Sequence, residues 1–360
     1  MEWYHAITSI KMLSKSYRQV NTPSNPVKRE SQMGSTTNTM DNSVIRIIFF
    51  GTSEFAVPAL ETLIKEGYEI VAVITNPDEP VGRKKVLTPP PVKVAAQKLG
   101  LKVLQPEKLR GNNEFLKLLT THYSLLTLGI VAAYGKIIPA EIINLPRLGI
   151  LNIHPSLLPK YRGPTPIQST ILNGEKETGI TIIKIDKEVD HGPIIGFKVQ
   201  GIESSEKYEE LETKLAKSGA ELLIKILPDY LTGKVKLVEQ DHSQATFTKK
   251  FTREDARINW NKAAEEIDRQ IRALNPEPGV WTVWDGKILK ISEVEQWAPL
   301  QACNGAHCKP GQVFQRENKI AVGTGEGLII LKTVQPEGKK QMSAGDFVRG
   351  NQNFIGAVLE

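Results

Sequence analysis

Residue type and spacing converge on chemistry in one short segment, Leu151-Asn152-Ile153-His154-Pro155-Ser156-Leu157-Leu158-Pro159. In an extended chain, residues two apart point to the same face. Asn152 and His154 therefore present an amide and an imidazole side by side. An amide N–H can stabilise a developing oxyanion. An imidazole moves protons near neutral pH. Pro155 then redirects the chain. A single histidine near a strand end is most often structural; the Asn-x-His pair ahead of a rigid turn singles this one out. A partner carboxylate is expected. Asp190 lies in the loop Val189-Asp190-His191-Gly192-Pro193, where Gly192 permits a tight turn. Asp186 is equally available, so residue types alone specify an acid–base site with an amide donor and stop there.

These groups need a scaffold, and the flanking pattern supplies one. Ile45–Phe50 is an apolar run ending in Gly51, which reads as a buried strand feeding a turn. Helical spacing follows over Phe55–Lys65, then a second strand over Glu69–Thr75. Lys93–Leu99 and Glu114–Leu119 are helical. Lys102–Leu104, Ser124–Ala133 and Gly149–Ile153 are strands. Strands alternating with helices imply right-handed crossovers and a mostly parallel sheet covered on both faces. The Asn-x-His segment lies at the C-terminal end of one strand, the edge where open α/β sheets bind ligands.

The pattern changes after about residue 179. Gly179–Asp186 and Ile194–Val199 read as consecutive strands with no helix between them, and Ser205–Leu227 as an amphipathic helix that closes the first domain. The expected boundaries are a catalytic domain over 44–230, a polar linker over 231–249 and a second domain over 250–360. The second domain holds a helix (Ala263–Leu274) and closely spaced short strands at Val280–Trp284, Ile288–Ile291, Gly311–Val313, Ile320–Val322 and Gly327–Val334. Such spacing suggests a small β-barrel.

Composition narrows the function classes. The chain has 360 residues, 40% of them hydrophobic and 24% charged, the balance of a globular protein. No uninterrupted apolar run reaches membrane-spanning length. Two cysteines exclude a disulfide framework. The formal charge of +6 permits an anionic partner without demanding one. Gly51-Thr52-Ser53-Glu54-Phe55 lacks the G-x-G-x-x-G of dinucleotide binding, and no phosphate-binding P-loop is present. Cys303, His307 and Cys308 do not match a structural zinc site, and no metal is expected. Residues 1–43 are rich in Ser, Thr and Asn and read as a disordered extension. A cytoplasmic location follows, or the mitochondrial matrix if that extension is a transit peptide, which Lys11, Lys15 and Arg18 favour and Glu2, Glu30 and Asp41 oppose.

The Asn152–Pro159 segment with Asp190-His191-Gly192 resembles the folate-dependent formyltransferases. Further segments resemble the methionyl-tRNA branch of that family: Thr75-Asn76-Pro77-Asp78, Ala133-Tyr134-Gly135, Arg162-Gly163 and Pro166-Ile167-Gln168. In the second domain so do Arg257-Ile258-Asn259-Trp260, Arg272-Ala273-Leu274-Asn275-Pro276 and Gly338-Lys339-Lys340-Gln341-Met342. The likeness covers roughly residues 45–345; Asn259 departs from the Asp that is frequent there. It implies an α/β fold with a Rossmann-like formyltransferase domain and an OB-like barrel, acting as a monomer. It further implies formyl transfer from 10-formyltetrahydrofolate to the α-amino group of methionyl initiator tRNA, without a metal.

In that resemblance Asn152 donates to the oxyanion, His154 assists proton transfer, and Asp190 orients His154 or moves protons through water. Ser156, Leu157, Leu158 and Pro159 would contact the folate, and Lys136, Ile137 and Ile138 would line its pterin pocket. The basic loop within Asp78–Pro91, carrying Arg83, Lys84 and Lys85, would enter the acceptor-stem end. Lys249, Lys250, Arg272, Lys339 and Lys340 would add phosphate contacts. The alternatives are another 10-formyltetrahydrofolate-dependent formyltransferase or hydrolase, or a non-catalytic RNA-binding module.

Overall fold

The computed structural model describes residues 45–82, 84–298 and 309–360, with no account of the side chains of 296–298. The extension over 1–43, Arg83, and the Cys303/His307/Cys308 group lie outside the described residues.

Strand β1 (Arg46–Gly51) runs into a 3-10 turn and helix α1 (Val57–Lys65). β2 (Glu69–Ile74) follows. The long basic connection then folds into a hairpin of β3 (Glu79–Val81) and β4 (Val86–Thr88), where sequence spacing predicts only a loop. Helix α2 (Pro91–Lys98), strand β5 (Val103–Leu104), helix α3 (Asn113–His122) and strand β6 (Leu128–Ala132) come next. Asn112 caps α3 by accepting the Phe115 N–H at 3.0 Å. The short helix α4 (Ala140–Ile143) leads to β7 (Ile150–His154), and α5 (Pro166–Leu172) to β8 (Glu177–Lys184) and β9 (Ile194–Gly201).

The seven-stranded sheet has the order β5-β2-β1-β6-β7-β8-β9. Its first five strands are parallel, and β8 and β9 are antiparallel, as expected of two strands joined without a helix. The order reverses between β1 and β6, where an open sheet offers a crevice outside its strand ends. There Thr52 donates its N–H to Ala133 O at 3.1 Å and its hydroxyl to Tyr134 O at 3.0 Å.

The long helix α6 (Tyr208–Leu231) packs against the sheet. Gly219 faces it so closely that a Cβ there would lie 2.7 Å from Ile153. The stretch expected as a linker over 231–249 runs back across the catalytic half: Val238 bridges Ile194 and Phe247 bridges Arg162.

Helix α7 (Ala264–Leu274) opens the second half. Strands β10 (Trp281–Trp284), β11 (Lys287–Ala298), β12 (Val313–Arg316), β13 (Lys319–Gly323), β14 (Leu328–Pro336) and β15 (Met342–Ser343) form a six-stranded antiparallel sheet, and α8 (Ala344–Arg349) covers it. The final residues curl this sheet into a barrel. Val283 of β10 exchanges backbone bonds with Glu360, while Gly311 and Val313 take bonds from and to Leu359 and Ala357. One apolar core runs through both halves: Ile167 and Ile171 of α5 share it with Ile267 and Ile271 of α7. The described residues form one compact unit.

Candidate active site

Strand β7 delivers the first two groups. Its register between β6 and β8 places Leu151, Ile153 and their neighbours in the core and leaves Asn152 half-buried at the open edge. His154 ends the strand, 4% exposed. The antiparallel turn-back between β8 and β9 brings Asp190 to the same point. Asp190 Oδ1 accepts the Asn152 amide N–H at 3.1 Å and lies 3.6 Å from His154 Nδ1. Its Oδ2 accepts the Gly163 N–H at 2.8 Å. The three groups expected to act together therefore meet on one carboxylate. Asp186 does not join them; its Oδ2 pairs with His191 Nδ1 at 2.6 Å. Of the two carboxylates, Asp190 is the one that reaches Asn152 and His154.

The hydrogen bonds fix the proton inventory. His154 Nε2 lies 3.0 Å from Tyr161 O, which can only accept, so Nε2 carries a proton. The other ring nitrogen, Nδ1, faces Asp190 Oδ1 across 3.6 Å, so the carboxylate flanks the imidazole on the side away from Tyr161. Asn152 spends one amide N–H on Asp190 and keeps its second N–H and its carbonyl oxygen free of protein partners among the described residues.

Sequence reasoning missed the turn behind these groups. Tyr161 has φ +61° and Gly163 φ +106°, and a Cβ on Gly163 would lie 2.9 Å from the Thr248 hydroxyl, so only glycine fits where the N–H must reach Asp190. The Tyr161 hydroxyl donates to Glu175 at 2.6 Å, and burial followed by that carboxylate pushes it up to about 12. Tyr161 also walls a cleft of about 480 Å³ with Lys160, Asn173, Phe247 and Lys249. Phe247 is 73% exposed. The Arg162-Gly163 dipeptide was the one signal available for this turn.

The proposed folate contacts divide by geometry. Ser156 is fully buried and donates to Lys160 O at 2.7 Å, and Leu158 donates its N–H to the Thr181 hydroxyl at 3.1 Å. These two wire the turn from inside. Leu157 and Pro159 remain partly open. Lys136 donates to the carbonyls of Pro106 and Glu107 at 3.0 and 2.9 Å, and partial burial lowers its pKa. Ile138 belongs to the core, whereas Ile137 is 78% exposed near the end of β6.

The proposed phosphate contacts divide likewise. Lys84 and Lys85 are exposed at the tip of the β3–β4 hairpin, beside exposed Val81, Val86 and Leu87. Lys250, Lys339 and Lys340 are exposed; Lys249 is exposed and paired with Asp255, whose carboxyl it holds down at about 2. Arg272 belongs to no open face. It donates to Asp268 at 2.8 Å and to Glu206 O at 3.0 Å, bracing α7 against the loop before α6. Among the described residues no cluster of three or more His, Cys, Asp or Glu side chains meets as a metal site.

Comparison with known proteins identifies the family. Residues 45–227 match the formyl transferase family, and residues 250–352 match the formyl transferase C-terminal domain. A methionyl-tRNA formyltransferase from Bacillus velezensis is 42% identical over 316 residues, 87% of this chain and 97% of that protein. One from Halalkalibacterium halodurans is 43% identical over 319 residues, 88% of this chain and 98% of that protein. The fold resembles the crystal structure of an N-formyltransferase from Helicobacter canadensis in complex with folinic acid and dTDP-3-aminofucose. That likeness has a TM-score of 0.58 at 21% identity, covering 80% of this chain and 99% of that one. By these matches over nearly its whole described length, the chain belongs to the methionyl-tRNA formyltransferase family.

Proposed function

We propose that Asn152, His154 and Asp190 carry out formyl transfer from 10-formyltetrahydrofolate to the α-amino group of methionyl initiator tRNA. Family membership makes the chain a formyltransferase of the translation-initiation kind; the residue roles and the exact donor are the proposal. The observation that carries it is the single carboxylate on which an amide donor and a proton-holding imidazole converge. The amine attacks the formyl carbon, and charge builds on the formyl oxygen. The free Asn152 N–H would receive it. The attacking amine must lose a proton and folate N10 must gain one. An imidazole with a carboxylate 3.6 Å from its Nδ1 suits that exchange. Fixing both substrates beside these groups supplies much of the remaining acceleration.

The donor's ring system has apolar contacts open to it at Ile137 and Leu157. A folate-type donor is further supported by the folinic acid in the fold relative. For the tRNA, the cations of the β3–β4 hairpin would hold acceptor-stem phosphates, with Arg83 continuing that group, and Lys249, Lys250, Lys339 and Lys340 would extend the contact. The cleft beside Tyr161 joins an exposed aromatic ring to two lysines, the combination that holds unpaired nucleotides. A sugar or purine formyltransferase would leave the basic hairpin without a task. Bacterial relatives support a cytoplasmic enzyme, and the family resemblance supports a monomer. Incubating the purified chain with 10-formyltetrahydrofolate and charged initiator tRNA should yield N-formylmethionyl-tRNA. Folate consumption without that product would reject the reading.

A further inference from the structure

We infer that Gln240, contributed by the segment that crosses back over the catalytic half, is a positioning residue that sets the Asp190 carboxylate for the reaction. The inference rests on the proposed role of Asp190.

The Asp190 loop needs an external hold. Asp190 itself has φ +50°, in the left-handed region that non-glycine residues seldom occupy. Gly192 packs so tightly that a Cβ would lie 1.9 Å from Lys184 O. Gln240 supplies the hold. Its Nε2 donates to Asp190 O at 2.9 Å and to Gly192 O at 2.8 Å, clasping the loop on both sides of His191. Its Oε1 accepts from Arg162 Nη2 at 2.7 Å and Nε at 3.2 Å. Gln240 is 5% exposed and Arg162 3%.

The bonds form a closed circuit. Gly163, next to Arg162, grips the Asp190 carboxylate, while the Arg162 side chain grips Gln240, which grips the Asp190 main chain. Position and orientation of the carboxylate are fixed together. The guanidinium can only donate and the two carbonyls can only accept, so an amide alone satisfies both sides. A glutamate would satisfy Arg162 and fail the carbonyls. A methionine would fail both. The segment is itself pinned on either side of Gln240: Val238 exchanges backbone bonds with Ile194, and Thr246 and Thr248 bond to Arg162.

Steady-state formyl transfer with the full chain tests this, using wild type, Gln240→Met, Gln240→Glu, Asp190→Ala and Asp190→Ala/Gln240→Met. Gln240→Met and Gln240→Glu should each lower kcat about 10- to 100-fold, with KM for both substrates unchanged, because the defect is misplacement of a reacting group. In the Asp190→Ala background Gln240→Met should cost nothing further, since the group it positions is gone. Should Gln240→Met unfold, Gln240→Glu, which keeps the Arg162 contact, carries the test. Wild-type kcat in both single variants overturns the inference, as does an equal loss with and without Asp190. Absence of transfer by the wild-type chain overturns the functional reading and this inference with it.

Discussion

At the scale of single residues, Asp190 is the side chain on which the site depends, because both its oxygens are committed as acceptors. Oδ1 faces the Asn152 N–H and His154 Nδ1, and Oδ2 faces the Gly163 N–H. Asn at this position must turn an NH2 toward one of those donors, and it cannot share a proton with His154. Asp190→Asn should therefore lower kcat by about 10²- to 10⁴-fold, the usual worth of a positioned acid–base group, while folate binding stays intact. Single-turnover rates against folate titration check this; a loss under tenfold would remove Asp190 from the proton path. Asn152 and His154 were legible because a strand's two-residue period puts them on one face whatever the rest of the fold does. The choice between Asp190 and Asp186 was not, because both lie on one loop and only the turn-back of β8 and β9 decides which reaches β7. Gln240 was illegible for a stronger reason. It sits in a polar, unpatterned stretch, and its side-chain partner Arg162 lies 78 positions away.

At the scale of elements, apolar period was a good guide for the sheet and a poor one at its margins. The buried strands β1, β2, β6 and β7 announce themselves as aliphatic runs. The β3–β4 hairpin is exposed along its length, so it carries no period to read. Helix α5 was missed because its seven residues are too few for a helical repeat, and its stability comes from packing on α7 in the shared core. The hairpin makes its own prediction. Lys84→Ala with Lys85→Ala should weaken tRNA binding and flatten its dependence on salt by up to about two units of log–log slope, roughly one per lost phosphate contact. Folate affinity should not change. Titrations of tRNA at several salt concentrations read this, and an unaltered slope would take the hairpin off the phosphates. Helix α6 offers a second prediction. Burial is the main cause that raises the Glu212 pKa above 4.5, against the bond from Tyr208. A carboxyl that holds its proton more tightly when folded loses stability as pH rises through the window above 4.5. Glu212→Gln should raise the melting temperature at pH 7 and leave it unchanged below about pH 4. An increase that persists at low pH would point to packing instead of charge.

At the scale of the whole molecule, the barrel depends on residues that the sequence reading did not place. Short, closely spaced strands suggested a barrel, but nothing in their pattern says how an antiparallel sheet that ends in β10 and β12 becomes closed. The chain's final residues bridge the gap. Glu360 exchanges two backbone bonds with Val283 and takes the Thr282 hydroxyl, while Leu359 bonds to Gly311 and is 3% exposed. Gly311 has φ +79°, and a Cβ there would lie 2.4 Å from Leu359 O, so the approach requires glycine. Removing Val358–Glu360 gives up a buried leucine worth about 1.5–3 kcal/mol and several backbone bonds worth roughly 0.5–1.5 kcal/mol each. Two sheet edges are exposed as well. Because one core joins the barrel to α5 and so to the turn that carries Gly163, the loss should spread. The truncated chain should melt several degrees lower in one shared transition, not in two. Calorimetry decides between these outcomes. A separate early transition, with formyl transfer surviving above it, would show that the catalytic half holds its site without the barrel.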